Sequence, residues 1–84
     1  MRTLLVIGVE RAFYLFRSEH PELRRENGWR VVHVTGQASI LGRDPTRTCY
    51  TVATAGRYYG LPRNYGEARE CMQERGIPVW DGEC

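Results

Sequence analysis

The sequence predicts an α/β fold: a small sheet of three to four mostly parallel strands, ordered βαβ-β-αβ, with helices packed on it. Three observations carry this reading. Leu4-Leu5-Val6-Ile7 is an unbroken aliphatic run, the pattern of a strand buried on both faces in a covered sheet. From Val9 the apolar residues switch to helical spacing, at Val9, Ala12, Phe13, Phe16 and, further on, Leu23, so an amphipathic helix lies on the sheet. Trp29 to Val34 is a second run of aromatic and β-branched residues, and strand, helix, strand within about thirty residues is a βαβ unit.

The remaining elements follow in order. Pro21 interrupts the first helical pattern, so one segment ends near Glu19 and a short second one has Pro21 in its first turn, where the missing N–H costs nothing. Asn27-Gly28 stops that second segment. Between Gln37 and Thr48 the signals Gly42 and Arg43-Asp44-Pro45 leave room for one helical turn around Ala38 to Leu41. Cys49 to Thr54 is the third strand, and its connection to the second is short enough to allow an antiparallel arrangement as well as a parallel one. Asn64 stands at an N-cap position with Glu67 three residues on, a capping box, and Gly76 follows as a C′ glycine. Tyr65, Ala68, Cys71 and Met72 form the inward stripe of this last helix. Ile77 to Trp80 reads as a short final strand, placed at a sheet edge by Pro78.

Eighty-four residues suit one domain, residues 1–84, with a core that buries about 60% of the unfolded surface. The chain is 42% hydrophobic and 26% charged, the balance of a folded globular protein and not of a disordered one. Its net charge is only +2, too small for binding to nucleic acid by bulk electrostatics. All 12 basic residues are Arg; spread along the chain, they read as GC-rich coding, as in an actinobacterium or its phage. Three cysteines without a Cys-x-x-Cys pair fit a reducing compartment, hence the cytoplasm. No apolar run is long enough for a signal peptide or a membrane span.

Three predicted strands end in glycine, at Gly8, Gly36 and Gly56. With parallel strands these ends share one rim, and open α/β sheets bind ligands outside the carboxyl ends of their strands. Glu10, Arg11 and Arg57 stand beside that rim, making a nucleotide or phosphate site the alternative reading. Neither Gly-x-Gly-x-x-Gly nor a P-loop is present, and glycine also ends strands for conformational reasons alone. The first strand and helix resemble Rossmann-like βαβ halves, a likeness that implies architecture and transfers no function.

Arg57-Tyr58-Tyr59-Gly60-Leu61-Pro62-Arg63-Asn64-Tyr65 is the most distinctive stretch. Arg and Tyr dominate interface hot spots, so Arg57, Tyr58, Tyr59, Arg63 and Tyr65 are the candidate partner-binding residues. The same groups could stack on exposed bases and contact phosphate, which makes nucleic acid a further alternative. Arg43 and Arg47 would join this patch if the topology brought the two loops together. Catalysis has little support. His33 sits mid-strand among valines and His20 at a helix junction; Cys49, Cys71 and Cys84 lack a base nearby; Glu10 is a lone carboxylate. No metal site or cofactor is expected. The reading that results is a non-catalytic accessory protein acting through a protein partner, with a homodimer through the Pro78–Trp80 edge as another arrangement.

Overall fold

The computed structural model describes residues 1–53 and 61–82. Three strands, β1 (Arg2–Ile7), β2 (Trp29–His33) and β3 (Thr48–Val52), form one sheet in the order β2-β1-β3. Both pairings are parallel, with Leu4 opposite Val31 and Cys49. The aliphatic run therefore occupies the central strand, and Leu4 through Ile7 are each 0% exposed. The connection from β2 to β3 passes over β1, so the parallel arrangement is the one adopted. Among the described residues two α-helices join the sheet, α1 (Glu10–Glu19) and α2 (Tyr65–Glu74).

Strand alternation sends neighbouring residues of β1 to opposite faces. Leu4 and Val6 meet Ala12 and Phe13 of α1, with Leu23, Trp29 and Cys49. Leu5 and Ile7 meet Ala68 and Met72 of α2, with Val34, Ile40 and Tyr50. The first crossover runs from β1 to β2 on the α1 face. The second runs the opposite way on the other face, carrying Ile40, and α2 follows it there. Reversing both direction and face keeps one hand throughout, as the strong preference for right-handed crossovers requires.

After α2 the chain returns to the outer side of β3. Tyr50 N–H donates to the Pro78 carbonyl (3.0 Å), and Trp80 N–H donates to the Tyr50 carbonyl (2.7 Å). This makes a single parallel bridge between Tyr50 and Val79, where a fourth strand over Ile77–Trp80 was expected. The Trp80 ring turns into the α1-face cluster, edge-on to Phe16 and to His20.

Two local expectations are corrected. The segment after Pro21 is not a helix that starts at the proline: Leu23 N–H bonds to the His20 carbonyl in a turn, and a 3₁₀ turn forms only at Arg25–Asn27. Leu23 is buried, and seating it in the core ends the helical path early. The capping box is also absent, since Asn64 makes no side-chain cap bond. Its φ of −85° and ψ of 10° are near-helical, whereas a capping side chain reaches back from an extended backbone. The turn that closes with Tyr65 N–H on the Pro62 carbonyl (3.1 Å) already winds the chain at Asn64.

Candidate functional site

At the carboxyl rim of the sheet the structure describes Gly8, Glu10, Arg11 and Gly36; Gly56 and Arg57 lie outside the described residues. A Cβ at Gly8 would stand 2.8 Å from the Ala53 carbonyl oxygen, so the backbone that closes on this glycine is the end of β3. Ala53 N–H donates to the Ile7 carbonyl (2.8 Å), which brings that carbonyl in. Gly36 is extended (φ 179°), and nothing lies within 4 Å of its Cβ position. Glu10 and Arg11, in the first turn of α1, are exposed.

The two histidines have structural partners. His33 Nε2 donates to the Gly8 carbonyl (2.6 Å), which requires the proton on Nε2, and its ring stacks on Phe13 with centroids 4.6 Å apart. His20 caps the end of α1, contacts Glu22 through Nδ1 (3.0 Å) and packs on Phe16. Hydrogen bonds from its own backbone N–H and then from His20 hold the Glu22 carboxyl below the usual range. Cys49 is buried and Cys71 half-buried.

Of the Arg/Tyr stretch, Tyr58 and Tyr59 lie outside the described residues, as does Arg57. Arg63 is exposed, and Tyr65 opens α2 half-buried, its hydroxyl accepting from Arg69 (3.1 Å). The Arg47 carbonyl accepts from Thr3 N–H (2.9 Å) at the amino ends of β1 and β3. Arg63 instead precedes a crossover helix that begins at the carboxyl ends. Arg47 and Arg63 therefore sit at opposite ends of the sheet and share no patch. Arg43 is tied to the Ser39 carbonyl through Nε (3.0 Å).

The fold assembles a different basic site along the outer edge of β2. A groove of about 360 Å³ is lined by Arg17 of α1, Arg24 and Arg25 around the 3₁₀ turn, and Arg30 of β2. Leu23, Trp29 and Val31 form its apolar floor, and Glu26 is the only acidic group on it among the described residues. Arg24 is partly engaged, donating through Nε to the Pro21 carbonyl (2.5 Å) and standing 3.7 Å from Glu26. Arg17 lies 5.9 Å from the Phe13 ring. Arg25 and Arg30 make no side-chain hydrogen bond or ion pair among the described residues. Four guanidinium groups against one carboxylate, over an apolar floor, can hold an anionic group by paired N–H donors and keep its stem dry. No family model, curated relative or solved structure matches this chain.

On the other face of the sheet a groove of about 350 Å³ has the opposite character. Glu67, Glu70 and Glu74 of α2 line it beside Cys71, with Gln37 and Leu41 across from them and Arg75 as its single cation among the described residues. Sequence reasoning missed the basic groove because its arginines come from three elements whose adjacency depends on β2 being an edge strand. The Arg24-Arg25 pair beside Trp29-Arg30 was the available signal, and it was averaged into the Arg-rich composition.

Proposed function

We propose that this protein is a non-catalytic interaction module that docks on an acidic segment of a partner protein through the arginine groove beside β2. The convergence of Arg17, Arg24, Arg25 and Arg30 on one groove with a single carboxylate carries the reading. The use of His33 and His20 in structural contacts supports a binding role over acid–base chemistry. An acidic protein fits better than nucleic acid because the opposite face, with Glu67, Glu70 and Glu74, would repel a polyanion long enough to wrap the molecule. The strand order, with crossovers on both faces, supports reading the scaffold as a Rossmann-like half with a fourth strand over Ile77–Trp80, of which the Tyr50–Val79 bridge is one pair. The free thiols of Cys49 and Cys71 suit the cytoplasm.

The test is titration of a fluorescent polyglutamate peptide against the wild type, the double variant R25E/R30E and the variant R63E. Binding should weaken by about tenfold or more in R25E/R30E and stay unchanged in R63E. Loss in R63E alone would move the site to the Arg57–Tyr65 stretch. A single-stranded oligonucleotide that binds more tightly than the peptide would make nucleic acid the partner.

A further inference from the structure

β2 is the uncovered edge of the sheet among the described residues, and its hydrogen-bonding parity can be worked out. Arg2 N–H donates to the Gly28 carbonyl, and Val34 N–H donates to the Val6 carbonyl (both 2.9 Å). With Arg2 opposite Trp29 and Val6 opposite His33, a parallel ladder turns the amides of Arg30, Val32 and Val34 inward to β1. The amides of Trp29, Val31 and His33 then point outward. The Trp29 N–H is already taken by the Arg24 carbonyl (3.1 Å). What remains is a short template: the Trp29 carbonyl, the Val31 N–H and carbonyl, and the His33 N–H. This template runs along the floor of the arginine groove, which includes Trp29 and Val31.

Resting on the docking role proposed above, we infer that the occupant is an extended acidic peptide that adds to the sheet as a strand beside β2. An added strand presents side chains alternately to the two faces of the sheet. On the α1 face they meet Arg17, Arg24 and Arg25. On the other face they meet Arg30, whose place in the alternation is opposite Trp29 and Val31. Acidic side chains are therefore favoured on both faces, while main-chain hydrogen bonds set the register. The same charges select against a second copy. Pairing β2 with β2 would set two sets of four arginines against each other, and like charges across a strand pair are destabilising. A lone Arg30 would serve only to blunt the edge; arginines supplied by α1 and the 3₁₀ turn turn that guard into a selective surface.

The experiment uses the full chain, labelled with ¹⁵N, and a ten-residue acetylated peptide of Glu-Glu and Thr-Thr pairs in turn, which sets Glu on both faces of an added strand. Its two comparators are the same peptide N-methylated at its odd or at its even residues, each of which keeps the charge and blocks one edge of the ladder. The expected result is slowed amide exchange at Val31 and His33 on binding. Affinity should fall by about tenfold when the methylated edge is the one that pairs. Equal affinity for unmethylated and both methylated peptides, or protection that leaves Val31 and His33 unchanged, overturns the strand-addition mode while R25E/R30E sensitivity still upholds docking. If neither this peptide nor polyglutamate binds, docking itself fails, and with it the inference.

Discussion

Gly8 shows how much one missing side chain can organise. It is buried, its carbonyl holds His33, and the end of β3 closes on it at a distance that leaves no room for a methyl group. Gly8→Ala should therefore cost about 1–3 kcal/mol in urea unfolding, because Ala53 is backbone and cannot swing aside. The sequence marks Gly8 as the end of a strand, but Ala53 comes near only after folding, so its packing role could not be read in advance. Asp44 gives a second prediction at this scale. Hydrogen bonds from the Thr46 hydroxyl (2.7 Å) and the Thr46 N–H (2.9 Å) hold its carboxyl below the usual Asp range, with Arg47 adding to the effect. A lowered folded pKa stabilises the protein above the ordinary Asp range, and that contribution is lost as pH falls through the lowered value. Urea midpoints of wild type and Asp44→Asn, compared at about pH 6 and about pH 3, should lie further apart at the higher pH.

Among the elements, α2 has a well-built end and a plain beginning. At its carboxyl end Gly76 is left-handed (φ 72°), Gly76 N–H donates to Gln73 (3.1 Å) and Ile77 N–H donates to Met72 (2.9 Å). That is a Schellman motif, and buried Ile77 and Met72 share one cluster around it. Gly76→Ala should cost about 1–2 kcal/mol, whereas Gly36→Ala, at an extended and open position, should be neutral or gain about 0.5 kcal/mol. Thermal melts of the two variants separate a required glycine from a replaceable one. Asn64→Ala should cost less than about 0.5 kcal/mol, below the roughly 1 kcal/mol of a working cap. The apolar stripes of both helices were legible because helical spacing depends on sequence alone. The cap was not, because it needs a backbone angle that the preceding turn at Pro62 decides.

For the molecule as a whole, the α/β class and the central place of β1 could be read from an aliphatic run followed by helical spacing. Strand order could not. The connection over residues 34–47 is compatible with either direction for β3, and only the packing of Ile40 on the face opposite α1 fixes its path. Once β2 is an edge, arginines from α1, a turn and a strand become neighbours; once α2 covers the other face, its glutamates collect there. A net charge of +2 averages these opposed surfaces into near-neutrality. With unlike charge prevailing in its two grooves the protein is charge-asymmetric, so a charged support would favour one orientation. On a cation-exchange column the single variants R25Q and R75Q, equal in formal charge, should elute apart, with R25Q released first. A negatively charged sensor chip would then present the glutamate side to whatever flows past, so immobilisation chemistry decides which half of the molecule an assay sees.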